Sequence, residues 1–262
     1  MTPRTRLCGT LLALLAHGQP AGSAPPPAEP GGGPLTICLA EANPPFSASS
    51  LPDGGIDAEL ARAVARQLGR EVRLQWVTIP NRGGLGKALA QNLAGGACAL
   101  FAGIPESGGP NEELAEKRLA ASTPYLETGY VLVGARTQIR KLDDARRLGR
   151  IGVVTATPAD LYLFQQHLHR VPYGNNGALL AALADGSVDA AALWQPALAE
   201  ARRLGQASAS DGLALPEAGR TRFVFALRRS DPALLADVNA AVDSLHSDGR
   251  LAAILRAHGL AP

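Results

Sequence analysis

The stretch that decides the fold is LADGSVDAAALWQP, which runs from Leu183 to Pro196. Its first residues are typical of a helix end, and Gly186 begins a turn that leads into a short apolar strand. Trp194 lies at the carboxyl end of that strand, and in open α/β sheets this end faces the ligand crevice. The indole is therefore predicted either to line a binding cleft or to close it.

The alternation of strands and helices continues in both directions from this stretch. An extended segment at 123–133 separates two series of alternating elements, and a strand at 221–227 with two closing helices returns to the first series. Alternation of this kind implies parallel strands with helical crossovers, and therefore an α/β fold with sheets flanked by helices. The first series consists of predicted strands at 35–40, 72–76 and 98–103 and predicted helices at 56–69 and 85–93.

The domain boundaries follow from the same pattern. Residues 35–134 plus 221–262 are predicted to form lobe 1, and residues 135–220 to form lobe 2, inserted into lobe 1. Residues 1–18 have the basic start, apolar run and small residues of a signal peptide, with a short anchor helix or a wrongly assigned start as the alternatives. Residues 19–34 are rich in Pro, Gly and Ala, a composition that predicts a disordered linker.

The charge balance excludes several function classes. The chain has 262 residues and a formal net charge of +2, and Arg4 and Arg6 account for this excess. The predicted mature chain is therefore neutral and has no electrostatic footprint for nucleic acid. No apolar run is long enough to span a bilayer.

Two cysteines remain after the predicted leader, Cys38 and Cys98. An even count in an exported chain predicts a disulfide, and the strands at 35–40 and 98–103 are expected to be neighbours. Two buried free thiols are the alternative. A catalytic cysteine is disfavoured because no histidine lies in the first part of lobe 1.

Aromatic residues are predicted to line the junction of the lobes. Phe46 follows the first strand, Tyr125 lies on the extended segment, and Trp194 lies opposite them, so that an apolar-walled slot is expected. An ordinary inter-lobe core would use the same residues. No metal or cofactor is expected, since His167 and His169 lie too far apart around a helix to share an ion. The predicted ligand-binding residues are Glu41, Asn43, Phe46, Gly103, Tyr125, Thr155, Thr157 and Trp194.

The order of these features resembles the periplasmic solute-binding proteins of family 3, the amino-acid-receptor type. The resemblance covers residues 35–260 and rests on the first strand and its loop to Phe46, Gly55-Ile56-Asp57, Thr123-Pro124-Tyr125 and the strand after Gly186. It implies a type II periplasmic-binding-protein fold of two lobes, each a mostly parallel sheet flanked by helices. It also implies a periplasmic location, a small-molecule ligand and an ABC permease as partner.

Two departures from the amino-acid receptors matter for the function. The receptors carry an Arg before their Ser-x-Pro-Tyr segment, and this chain lacks it near Ala115. They also carry an Asp, which holds the amino group, where this chain has Trp194. The two charges of a zwitterion would be left unpaired in such a site, which is costly, so amino-acid transport is not expected.

Trp194-Gln195-Pro196, Cys38, Cys98 and Arg82-Gly83 resemble a side branch of this family, the MxaJ-like proteins linked to PQQ-dependent alcohol dehydrogenases. That resemblance implies a non-enzymatic accessory of a periplasmic quinoprotein dehydrogenase and its cytochrome. A transporter component for a small polar solute is the first alternative. A dehydratase or lyase that uses Glu41 or Glu106 is the second, and no base–nucleophile pair supports it.

Overall fold

In the computed structural model, which describes residues 33–207 and 212–260, apolar strands alternate with helices. The predicted signal peptide and nearly all of the predicted linker lie outside the described residues. The strands are β1 (Leu35–Ala40), β2 (Ala42–Asn43), β3 (Ser47–Ala48), β4 (Val72–Val77), β5 (Leu100–Ser107), β6 (Leu119–Ala121), β7 (Leu126–Gly134), β8 (Ile151–Val154), β9 (Arg170–Tyr173), β10 (Ala190–Trp194), β11 (Leu213–Ala214) and β12 (Arg220–Arg228). The helices are α1 (Ile56–Gln67), α2 (Gly84–Ala88), α3 (Glu112–Glu116), α4 (Leu142–Arg146), α5 (Pro158–Gln165), α6 (Asn176–Asp185), α7 (Gln195–Arg203), α8 (Pro232–Ser247) and α9 (Arg250–Ala257), with a π-helical turn at Leu89–Ala94 and a 3₁₀ turn at Pro216–Ala218.

Helix ends follow the local sequence. The Thr157 hydroxyl accepts a hydrogen bond of 3.2 Å from the Asp160 amide, and Pro158 occupies the first turn, so α5 begins where the sequence predicts. Gly186 adopts φ 78° and ends α6 in the left-handed conformation. The predicted helix at 85–93 is divided between α2 and the π-helical turn. None of the described helices is both long and apolar enough to cross a membrane.

The strands pair in the order β4-β1-β5-β12-β7-β10-β8-β9, with β6 on β12 and β11 on β7. The α/β class is confirmed, but the sheet is mixed rather than mostly parallel through its centre. Strand β12 runs antiparallel to both β5 and β7, and β10 runs antiparallel to β7. Apolar periodicity records the burial of a strand and not its direction, which explains the difference.

Strand β7 joins the two ends of the sheet. Its first half, Leu126 to Gly129, pairs with β12, and its second half, Tyr130 to Gly134, pairs with β10. Two buried clusters surround the strands from β4 to β12, and two others surround β10, β8 and β9. The described residues nevertheless lie within one compact unit. The division into lobes at 134/135 and 220/221 therefore stays a prediction.

The predicted disulfide is confirmed. Cys38 on β1 is bonded to Cys98 just before β5, with 5.8 Å between their Cα atoms. Both residues are buried beside Phe101 and Ile104, where β1 and β5 are neighbours in the sheet. The crosslink therefore fixes the two strands whose carboxyl ends lead toward the cavity described below.

Candidate functional site

The principal cavity of the described structure lies where β1, β5, β10 and β12 meet the loops that follow or precede them. Its volume is about 970 Å³, within the range of small-molecule sites. Most of its wall is apolar, and five aromatic rings contribute to it. These rings are Phe46, Phe101, Tyr130, Trp194 and Phe223.

Trp194 forms one wall of this cavity together with Tyr130. The two residues are directly opposite each other on β10 and β7, so their side chains lie on the same face of the sheet. Their ring centroids are 5.2 Å apart at an interplanar angle of 58°. Trp194 is half-buried and also packs on the cluster that contains Phe46 and Phe223. The indole is therefore a wall of the cavity that remains partly open to solvent.

A second aromatic pair comes from β12 and the loop after β1. Phe46 stacks on Phe223 with a centroid distance of 4.4 Å and an angle of 25°. Gly55 holds the Phe46 loop close to the start of α1, because a Cβ on Gly55 would lie 2.6 Å from the Phe46 carbonyl oxygen. The amide of Asp57 also donates to that oxygen at 2.8 Å. This wall of the cavity is consequently fixed by the backbone as well as by the rings.

Asp57, in the first turn of α1, is a fully buried carboxyl group among the lining residues. The Tyr125 hydroxyl donates to Asp57 Oδ1 at 2.6 Å and accepts from the Gly103 amide at 2.8 Å. Asp57 Oδ2 has no hydrogen-bond partner, and it lies against Gly103, where any Cβ would collide with it. Gly103 has φ +78°, so glycine is required there by both space and conformation.

Burial governs the protonation of this group. Desolvation raises the pKa of Asp57 from 3.8 to about 6, and the hydrogen bond from Tyr125 opposes that shift. Burial, followed by the neighbouring Asp57 carboxyl, raises the pKa of the Tyr125 phenol well above its ordinary value. Tyr125 therefore remains a hydrogen-bond donor at neutral pH. The pKa of Asp57, at about 6, lies just below neutral pH.

Arg220 is the basic residue in the described lining of the cavity. It lies at the start of β12, is mostly exposed, and forms an ion pair with Glu127 on the adjacent strand β7. Its charge is thus compensated within the protein. Asp57 belongs to the lining but has no solvent-accessible surface, so the described lining does not present an exposed carboxylate beside a free cation.

The cavity brings together five of the eight residues predicted to bind a ligand: Asn43, Phe46, Gly103, Thr157 and Trp194.

The other three lie elsewhere. Tyr125 is 2% exposed and lies outside the lining of the cavity, where its hydroxyl donates a hydrogen bond to Asp57. Glu41 is exposed and accepts a hydrogen bond of 2.5 Å from the Thr78 hydroxyl. Thr155 is exposed after β8, and its hydroxyl donates to the Tyr173 carbonyl at 3.3 Å.

Sequence reasoning missed Asp57 and Arg220. A signal for Asp57 was present, because residues 57, 61 and 64 share one face of α1 and the other two are apolar and buried. An aspartate in the first helical turn is usually attributed to the favourable interaction with the helix dipole. For that reason the position of Asp57 on the buried face of α1 was not recognised. Arg220 had no comparable signal, since only pairing with β7 places it beside the cavity.

A family model described as bacterial extracellular solute-binding proteins, family 3, matches residues 35–261. Among solved structures, the second substrate-binding domain of GlnP from Lactococcus lactis, in its open conformation, has a TM-score of 0.71 at 17% identity, over 88% of this chain and 97% of that chain. The L-cystine solute receptor of Neisseria gonorrhoeae, unliganded and open, has a TM-score of 0.68 at 18% identity, over 86% of this chain and 92% of that one.

MxaJ from Methlophaga aminisulfidivorans MPT has a TM-score of 0.59 at 19% identity, over 87% of this chain and 99% of that chain. At these identities the likeness shows the shared fold. No curated protein sequence matches this chain significantly.

Proposed function

This chain belongs to the bacterial extracellular solute-binding proteins of family 3, and on that premise we propose that its cleft binds a small, uncharged solute through apolar contacts. The observation that carries the proposal is the aromatic wall around an approximately 970 Å³ cavity. The protein acts in the periplasm, and a permease of the ABC class receives the solute.

The charges at the cavity support an uncharged ligand. A zwitterion in a half-buried site needs a cation for its carboxylate and an anion for its ammonium group, because unpaired buried charges are costly. Arg220 is already paired with Glu127, and Asp57 is a fully buried lining residue whose pKa is raised by burial. Binding a zwitterion here would require breaking the Arg220–Glu127 ion pair and bringing the ammonium group to a carboxyl group that has no accessible surface.

A ligand screen tests the proposal. Thermal denaturation is followed with a panel of uncharged solutes (alcohols, polyols, cyclic ketones and amides), with carboxylates and with the amino acids. At least one uncharged solute is expected to raise Tm by several degrees, since a ligand that binds only the native state stabilises it.

The variant Trp194→Ala removes the wall and is expected to abolish that shift. Phe164→Ala is the matched control, because Phe164 is 59% exposed and lies outside the lining set of the cavity. The proposal fails if an amino acid is the strongest stabiliser, if no solute stabilises the protein, or if Trp194→Ala retains the shift.

A second candidate function is an accessory role for a periplasmic quinoprotein dehydrogenase. The specific support is the disulfide between Cys38 and Cys98 together with Trp194 at the cavity wall, the features on which the sequence resembles the MxaJ-like branch. Affinity capture with the mature protein from a periplasmic extract tests this role. Recovery of a PQQ-dependent dehydrogenase or its cytochrome is expected, and recovery of neither contradicts it.

An enzymatic role on this scaffold has less support. Glu41 is exposed on its loop, and Glu106 lies 3.4 Å from the Arg222 guanidinium with which it forms an ion pair. Neither carboxylate belongs to the described lining of the cavity. The two groups are therefore not arranged as an acid–base pair around a bound molecule.

A further inference from the structure

A second concavity, of about 700 Å³, lies at the opposite end of β12 from the cleft. Arg220 begins this nine-residue strand and Arg228 ends it, so the two sites are separated by about 26 Å. We call the second site the basic concavity. Its wall contains four basic residues, Lys117, Arg118, Arg228 and Arg229, together with Ala94, Leu119 and Ser230.

The three arginines of the basic concavity form no ion pair with a described residue, whereas the Lys117 ammonium and the Glu113 carboxylate both lie beside Gly86. Within the described ranges, no carboxylate oxygen lies within 4.0 Å of a side-chain nitrogen of the four basic residues. The nearby helix α3 carries three glutamates, and none of them forms an ion pair with the four. The three guanidinium charges repel each other, and such repulsion favours the binding of an anion between them.

Two of the guanidinium groups are held in place by backbone carbonyls. Arg228 Nη1 donates to the carbonyl oxygens of Leu93 at 3.1 Å and Cys98 at 2.8 Å, and Cys98 is itself fixed by the disulfide. Arg229 Nη2 donates to the Leu119 carbonyl at 3.3 Å. Each anchor uses one nitrogen, so N–H groups on the remaining nitrogens are available to a ligand.

Arg118 occupies a strained backbone position at the rim of the same concavity. Its φ is 56°, in the left-handed region that L-residues with a Cβ rarely adopt. The Arg118 carbonyl accepts a hydrogen bond of 3.0 Å from the Arg229 amide, which couples the two arginines through their backbones. Glycine would adopt this conformation without strain, so an arginine here indicates a role for its side chain.

We propose that the basic concavity binds a phosphate group. Anchored guanidinium groups match the paired oxygens of phosphate by bidentate hydrogen bonding, and these charge-assisted bonds are among the strongest in proteins. The phosphate is supplied either by a soluble phosphate compound or by the headgroup of an anionic lipid. Because the site lies about 26 Å from the cleft, a phosphate group here does not occupy the space of the proposed solute.

Calorimetric titration with inorganic phosphate and pyrophosphate, and co-sedimentation with vesicles, test the proposal. The vesicles contain phosphatidylcholine alone or phosphatidylcholine with a minority of phosphatidylglycerol. The double variant Arg118→Gln/Arg229→Gln is expected to weaken binding at least about tenfold, since charge-assisted hydrogen bonds are lost. The matched control is Arg66→Gln/Arg256→Gln, which makes the same charge change at two exposed helical positions.

If only the soluble anions bind, and Arg118→Gln/Arg229→Gln weakens that binding, the ligand is a soluble phosphate compound. If only the anionic vesicles bind, and the same variant weakens that binding, the ligand is a lipid headgroup. The proposal is overturned if neither probe binds, or if both double variants weaken binding equally. If Arg118→Gln/Arg229→Gln does not fold, Arg118→Lys/Arg229→Lys replaces it. That variant keeps the charges but loses the fork geometry, and unchanged binding by it would also contradict the proposal.

Discussion

Replacing Asp57 with asparagine is predicted to remove a large part of the pH dependence of stability. Burial raises the pKa of this carboxyl from 3.8 to about 6, a shift of about two units. Each unit corresponds to about 1.4 kcal/mol, so the group contributes about 3 kcal/mol of pH-dependent stability. Because Asp57 keeps its proton in the folded chain at a pH where the unfolded chain has lost it, the stabilising contribution of this group is fully present below about pH 4 and is lost as the pH rises through about 6.

Urea denaturation between about pH 4 and pH 7, followed by tryptophan fluorescence, measures this contribution. The wild type is expected to lose about 2 kcal/mol more than Asp57→Asn over that range, because part of the total is already lost at pH 4. Asp237→Asn serves as the control, since Asp237 is an exposed carboxylate on α8 and its replacement is expected to leave the profile unchanged. Parallel profiles for the wild type and Asp57→Asn would refute the account of Asp57 as a buried, desolvated acid.

Two further predictions concern the framework of the cleft. Gly103→Ala is expected to destabilise the protein by at least about 2 kcal/mol more than Gly96→Ala in chemical denaturation, because both glycines have positive φ but only Gly103 faces the Asp57 carboxyl. Equal losses of stability in the two variants would contradict the prediction, because they would show that backbone strain at positive φ, and not the contact with Asp57, causes the destabilisation. Cys38→Ser/Cys98→Ser is expected to cost about 4 kcal/mol for a loop of 60 residues. The reduced wild type should match this variant in denaturation midpoint, and an unchanged midpoint on reduction would contradict the prediction.

Periodicity and turn residues predicted most of the helices and strands, because burial imposes a repeat on each element. Gly186 and Thr157 marked helix ends that the structure confirms. Strand direction was not predictable in this way. Strands β7 and β12 have the same apolar character as parallel strands, and only tertiary pairing makes them antiparallel.

The sequence predicted the cavity residues that lie at the ends of strands. It did not predict the hydrogen-bonded pairs of buried polar residues. Trp194 and Phe46 line the cavity because each lies at or just beyond the carboxyl end of a strand. Tyr125 was expected on the wall, but it lies outside the lining, and its hydroxyl donates a hydrogen bond to Asp57. The basic concavity joins residues 117–118 to residues 228–229, so no local pattern could reveal it.

The fluorescence of Trp194 tests most directly whether this indole forms the wall of an apolar ligand cleft. The protein has two tryptophans, and Trp76→Phe leaves Trp194 as the single reporter. Titration with the uncharged solute identified by the thermal screen is expected to give a saturable change in emission, while amino acids give none. Saturation by an amino acid, or unchanged Trp194 emission while calorimetry records binding of the uncharged solute, would contradict the proposed cleft.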